Sequence, residues 1–335
     1  MALDPARPGE PLRGLPARRG GARQDWSRYW RSGNQPIEAM HAHFSGHVYH
    51  RHSHDGYSFG VTEEGAQAFG CRNAQHVSAA GMIMTFNPDD PHDGHAVTEN
   101  GFTYRMIHVG PDLLAAVMSD VAGRPAGLPL FPVPVADDRP LAARLRLLHG
   151  AVSGQAGPLE VYERIAGVVC ALDRHAAARA PRRVRFDGPG AAAGGWPTGT
   201  GQSGPAGRVR ELLHARYADQ VTADDLAVAA GCSRFAAYRA FRSAFGLSPS
   251  DYQRQLRLRA ARSLLAAGTP AADAAAAAGF ADQAHLTRWF RRYYGITPGE
   301  YRSAGPEPTG SAFSRGTVMA NRVWPGRLVS VTLPP

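Results

Sequence analysis

Lysine is absent, and all 37 basic residues in this 335-residue chain are arginine. With 38 Gly, 26 Pro and abundant Ala, this reads as a GC-rich coding bias. The net charge of +9 therefore says less about partners than the placement of that charge does. Cysteine is scarce: Cys71, Cys170 and Cys232 are an odd number with no Cys-x-x-Cys spacing. That argues against a disulfide framework and fits a reducing cytoplasm. No run of about 18 apolar residues occurs, so no membrane span is expected. The basic N-terminus has no apolar stretch of the signal-peptide kind.

What is present begins with an internal repeat at an offset of 49 positions. Ser233 and Asp282 correspond, as do Arg239 and Arg288, Phe241 and Phe290, and Arg242 and Arg291. The match continues through Gly246 and Gly295, Pro249 and Pro298, and Tyr252 and Tyr301. Each copy reads as helix, tight turn, helix. Thr222 caps a helix over 223–230, Gly231 makes the turn, and Ser233 caps a second helix ending before Gly246. In the second copy the helices are 271–278 and 283–294, with Gly279 as the turn, Asp282 as the cap and Gly295 as the closure. This is the layout of a helix-turn-helix, whose second helix enters the major groove.

The faces of the two second helices carry the chemistry. Phe235, Tyr238, Arg239 and Arg242 fall at helical spacing on one side, while Ala237, Phe241, Ala244 and Phe245 are expected to be buried. In the second copy Ala284, Thr287, Arg288 and Arg291 face outward, and Leu286, Phe290 and Tyr293 inward. Arginine is the commonest direct reader of guanine and a strong phosphate contact. Solvated arginines on an ordinary amphipathic helix are the competing reading, and the repeat with caps and turns in register argues against it. Charge placement agrees. Residues 208–302 hold 14 Arg against 8 acids, whereas 36–207 hold 13 against 16.

Gly231-Cys-Ser233, Tyr238-Arg-Ala-Phe241, Phe245-Gly-Leu-Ser-Pro249 and Arg257-Leu-Arg-Ala-Ala-Arg-Ser-Leu-Leu265 resemble the AraC/XylS family DNA-binding domain. So do Gly279-Phe280-Ala-Asp282, His285-Leu-Thr-Arg288 and Tyr294-Gly-Ile-Thr-Pro-Gly-Glu-Tyr-Arg302. The resemblance implies seven helices, with two helix-turn-helix units joined by a long helix near 250–267. It implies DNA contact by Arg234, Phe235, Tyr238, Arg239 and Arg242 in the first unit. In the second it implies Gln283, Ala284, Thr287, Arg288 and Arg291. Ala284 departs from the polar residue common there and offers only a methyl group. The stretch 270–278, mostly alanine, also departs from the family's larger aliphatics. Alanine favours helix but buries little area, so the second unit is expected to be the less stable.

Residues 39–109 show short alternating or apolar runs at 57–62, 67–71, 82–86 and 102–109. Turns are expected at Glu64-Gly65, Ala80-Gly81 and Asn87-Pro88. The pattern suggests a small barrel. His52-Ser-His54-Asp55, Tyr57, Gly65, Gly81 and Asn87-Pro-Asp-Asp-Pro-His92 resemble the cupin-like effector domain of many AraC-type regulators. Side chains two apart on a strand share a face, so His52 and His54 point together, and His92 can join them at a barrel mouth. Three imidazoles suit Zn, Fe, Ni or Cu. The cupin pattern carries a Glu shortly after the paired His, and here Ser58 or Phe59 stands there. The expectation is therefore an effector pocket lined by His52, His54, Tyr57 and His92, with neither metal nor cofactor. Structural histidines and a metal site stay open as alternatives.

Three helices are expected at 112–119, 140–152 and 159–174, packing on the barrel. The overall expectation is an α+β multidomain chain. A disordered basic leader spans 1–35, in which Trp26, Tyr29 and Trp30 dock a short turn. A cupin-like β-barrel with packed helices spans 36–175, and a flexible linker 176–207. An all-α DNA-binding domain occupies 208–302 and a tail 303–335, with an edge strand at 328–333. The expected function is an effector-controlled, cytoplasmic transcription regulator that is not an enzyme. Its partners are double-stranded DNA and a small molecule, with RNA polymerase and a homodimer implied by the resemblance. The alternatives are a cupin-type metalloenzyme with an accessory DNA-binding domain, and a constitutive DNA binder whose barrel only dimerises.

Overall fold

The computed structural model describes residues 25–33, 35–176 and 204–305. The leader up to 24, the linker from 177 to 203 and the tail with its expected strand lie outside the described residues.

The N-terminal half is a curled antiparallel sheet with helices on one face. Its strands are β1 (Trp26–Arg31), β2 (Ile37–Phe44), β3 (Tyr49–His52), β4 (Tyr57–Cys71) and β5 (Ala74–Ala79). They continue with β6 (Ile83–Phe86), β7 (His92–Ala96), β8 (Phe102–Val109) and β9 (Val135–Ala136). The main path runs β1-β2-β8-β4-β6-β9, while β5 and β7 pair with the far half of β4 and β3 pairs with β7. The ends of the path do not meet, so the fold is cupin-like without being a closed ring.

Strand β4 makes the curl. A turn was expected at Glu64-Gly65, yet the chain continues as one 15-residue strand. A register shift between Thr62 and Glu64, followed by Gly65 at φ +69°, forms a bulge. Before it β4 pairs with β6 and β8; beyond it β4 pairs with β5 and β7. A bulge bends a strand and increases its twist, which carries the sheet round on itself.

Alternation then sorts the side chains into two cores. Ile37, Ala39, Tyr57, Phe59, Val61, Ile107 and Val109 face the helices α1 (Pro111–Ala122), α2 (Arg139–Ser153) and α3 (Pro158–Leu172). Met40, Ala42, Phe44, Met84, Phe86, Phe102, Tyr104 and Met106 fill the inside of the curl. The 26–31 segment is strand β1 on the edge of β2, where a docked turn was expected.

Among the described residues, seven helices build the C-terminal half: α4 (Pro205–Ala215), α5 (Ala223–Ala230), α6 (Arg234–Phe245), α7 (Pro249–Ala266), α8 (Ala271–Ala277), α9 (Gln283–Tyr294) and α10 (Pro298–Ser303). Thr222 and Asp225 form a reciprocal capping box for α5, and Ser233 and Asp282 cap α6 and α9. One core gathers Val209, Leu213, Ala237, Phe241 and Tyr252; the other gathers Leu258, Leu265, Leu286, Phe290, Tyr293 and Tyr301. Helix α7 contributes to both cores and so joins the units.

Candidate functional site

Helices α6 and α9 present their expected outer residues to solvent. Phe235 is 67% exposed and Tyr238 37%. Arg239 and Arg242 are exposed beside them, and Arg239 lies over the Phe235 ring at 4.7 Å. That contact splays the guanidinium along the helix face in a defined direction. Arg234 is exposed but forms a two-pronged ion pair with Asp224 on the preceding helix. Ala244 is exposed where burial was expected, because it falls just past the stripe formed by Ala237 and Phe241.

On α9, Gln283, Ala284, Arg288 and Arg291 are exposed and Thr287 is half-buried. The Thr287 hydroxyl donates to the Gln283 carbonyl at 2.8 Å, which engages its proton within the helix. Arg292 stacks on Trp289 at 5.2 Å, and Arg254 of α7 covers the same ring at 3.8 Å. The two arginines and the tryptophan form one packed unit beside the outer face.

The second site is the histidine group. His52 and His92 face each other across the β3–β7 pair, and His54 follows β3 by two residues. One ring nitrogen from each lies within 4.8 Å of the others. Ring centroids stand 4.5 Å apart for His52–His92, 4.9 Å for His52–His54 and 5.2 Å for His54–His92. His108 of β8 is 4.7 Å from His54, and its Nδ1 is 2.8 Å from the Ser58 hydroxyl. Phe86 stacks on His92 at 4.0 Å. Burial favours the neutral rings, reinforced by neighbouring imidazoles at His52, His54 and His92 and by Arg262 at His108. It pulls His92 and His108 down to about 4 and holds His52 and His54 well below the ordinary imidazole value.

The fourth residue expected here, Tyr57, is elsewhere. It sits one position out of phase with the strand face that meets the histidines, and it packs in the helix-side core against Phe59 and Phe131. Its hydroxyl donates to the Pro129 carbonyl at 2.8 Å. The tyrosines that approach the trio are Tyr49, 5.6 Å from His52, and Tyr293 of α9, 5.8 Å from the same ring.

Contact between Tyr293 and His52 belongs to a broad junction that sequence reasoning missed. Arg262 of α7 donates to Asp55 at 2.8 Å and lies 3.9 Å from Glu38. Arg259 pairs with Asp89 and donates to the Ser53 hydroxyl at 3.0 Å. The Gln255 side-chain carbonyl accepts from the Ser53 hydroxyl at 2.8 Å. Tyr29 and Tyr301 donate from opposite halves to the two oxygens of Glu38. Burial pushes the Glu38 carboxyl up, but Arg262 and the two hydroxyls outweigh it and hold it below the usual value. In the Arg257–Leu265 stretch, Arg259 and Arg262 turn toward the N-terminal half, while Arg257 donates to the Tyr217 carbonyl within the C-terminal half.

A family profile described as an AraC-like ligand binding domain matches residues 34–168, and one described as a helix-turn-helix domain matches residues 226–304. The HTH-type transcriptional regulator YbfI of Bacillus subtilis is 30% identical over 235 residues, 70% of this chain and 80% of that one. The transcriptional activator NphR of Rhodococcus is 37% identical over 97 residues, 28% of this chain and 29% of its own length. A solved structure of an apo ToxT variant from Vibrio cholerae covers 82% of this chain and 99% of its own, with a TM-score of 0.50 at 9% identity, a likeness of fold. Two profiles in chain order and a relative matched over most of its length place this chain in the AraC family of helix-turn-helix transcriptional regulators, with a ligand-binding domain ahead of the DNA-binding one.

Proposed function

We propose that α6 and α9 read two successive major-groove segments, about 34 Å or one helical turn apart. The observation that carries this reading is the pair of exposed arginines at repeat positions, Arg239 and Arg288. These are the base readers, with Phe235, Tyr238, Gln283 and Thr287 beside them and Ala284 offering its methyl group. Arg242 and Arg291 hold phosphates, and Arg234 joins them by exchanging Asp224 for the backbone. Arg239→Ala is expected to weaken binding by about 1–3 kcal/mol and to relax preference at one base pair. Gel shifts across single-base variants of the operator check this. An equal loss on every sequence makes Arg239 a phosphate contact instead.

The ligand-binding half is proposed to take its effector at His52, His54 and His92. The effector then shifts the balance between docked and undocked arrangements of the two halves, to the extent that it binds one better. The chain works on chromosomal DNA in the cytoplasm without catalysing a reaction. RNA polymerase and a second copy of the chain are its further partners. Among the described residues, the histidine trio is the feature that favours the metalloenzyme alternative.

A further inference from the structure

The geometry points to a binding site for one divalent transition-metal ion of the zinc, cobalt or nickel class at His52, His54 and His92, beneath α9. This rests on the regulator reading only for its consequence, since it names the ligand class of the effector site.

Four observations carry it. The three side chains come from two separate chain segments and still bring ring nitrogens within 4.8 Å. The His52 Nδ1–H donates to the His50 carbonyl at 2.7 Å, and the His92 Nδ1–H donates to the Asp90 carbonyl at 2.8 Å. Those bonds fix the tautomer and leave each Nε2 lone pair available, as the outer hydrogen bond of a metal-binding imidazole does. The His54 Nδ1 is buried with no hydrogen-bond partner among the described residues. Lastly, the rings crowd one another too closely to admit an organic molecule between them, whereas an ion fits after a small contraction. Metal–nitrogen bonds of about 2.1 Å require tetrahedral N···N separations of about 3.4 Å.

The neighbouring acids narrow the metal. Asp55 is held by Arg262, Asp90 by Arg72 and Asn87, and Asp93 by the Gly70 N–H with Arg51 nearby. A set of neutral imidazoles with no carboxylate suits borderline metals and not Mg²⁺ or Ca²⁺.

The segment that supplies two of these histidines also links the site to the other half of the molecule. In His52-Ser53-His54-Asp55, the histidines turn toward the site, while Ser53 and Asp55 turn toward Gln255, Arg259 and Arg262 of α7. Drawing the imidazoles together therefore displaces the residues that hold α7. Tyr293 of α9 stands directly over His52.

The test uses the full-length protein, stripped with a chelator and titrated with Co²⁺ and then Zn²⁺ by calorimetry and visible absorption. One equivalent is expected, with cobalt absorption that zinc abolishes. His52→Gln and His92→Gln are expected to weaken binding at least tenfold. His95→Gln, an exposed histidine on the same strand as His92, should leave it unchanged. Circular dichroism confirms that each variant is folded, and His54→Gln substitutes for any that is not. No uptake by the wild type overturns the site, as does uptake that the trio variants leave intact. Operator binding is measured in parallel. A chain that selects a DNA sequence but takes no metal loses the metal site alone. One that takes metal but shows no sequence preference loses the regulator reading and keeps the site.

Discussion

His149 shows how one residue is tuned by its neighbours. It is 1% exposed on α2; its Nε2–H donates to the Met40 carbonyl at 3.1 Å, and its Nδ1 accepts from Arg105 at 3.2 Å. Accepting at Nδ1 requires the neutral ring. Burial, then the Arg105 charge, pulls it down to about 4. The unfolded chain therefore binds a proton that the folded chain refuses, and stability falls on acidification from about pH 6.5 toward 4. The expected slope is about 1.4 kcal/mol per pH unit from this group. Urea titrations at a series of pH values check it, and His149→Gln should reduce the slope by that amount. The exposed arginines of α6 and α9 were legible in the sequence because helical spacing alone places them. Tyr57 was not, because the strand alternation that separates it from His52 and His54 depends on how the chain turns between them.

At the scale of elements, the helix-turn-helix units were readable because their signals are local. Caps at Thr222, Ser233 and Asp282 and turns at Gly231 and Gly279 all sit within a few residues of what they control. Gly279 adds a tertiary demand: φ is +80°, and a Cβ would lie 2.2 Å from the Ala218 carbonyl oxygen. Gly279→Ala is expected to destabilise the C-terminal half by more than the about 1 kcal/mol typical of a strained backbone position, read as a lower melting temperature. The sheet was less legible. Glu64-Gly65 has the composition of a turn, and only pairing with β8 makes it a bulge within β4. The alanine-rich α8 also differs in context from its sequence reading. Ala274, Ala275 and Ala278 are fully buried, and through its own Tyr301, which donates to Glu38, the second unit has the barrel as a neighbour. Small side chains let α8 approach Leu286 and Phe290 closely, so hydrogen exchange should protect the second unit at least as well as the first. Faster exchange in α8 and α9 than in α5 and α6 would restore the expectation from composition.

Across the whole molecule, the junction between halves decides how a ligand is felt. It is built from contacts more than 160 residues apart in sequence, such as Arg259 with Asp89 and Arg262 with Asp55. No local pattern reports such pairs, which is why Arg257–Leu265 was read for family likeness alone. Removing one partner leaves buried charge unpaired. Arg262→Ala is expected to weaken docking by about 3 kcal/mol, the lower end for a pair that keeps some solvent. Amide exchange in β3 and α7 should rise together in that variant while α6 is unaffected. A rise confined to α7 would mean that the halves are not energetically linked there.

The most direct test of regulation through two DNA-reading helices is binding-site selection from random duplexes, using the full-length chain and its Arg239→Ala/Arg288→Ala variant. An enriched site with two elements about ten base pairs apart, lost in the double variant, is the predicted result. Enrichment that survives both substitutions, or a single undivided element, would contradict it.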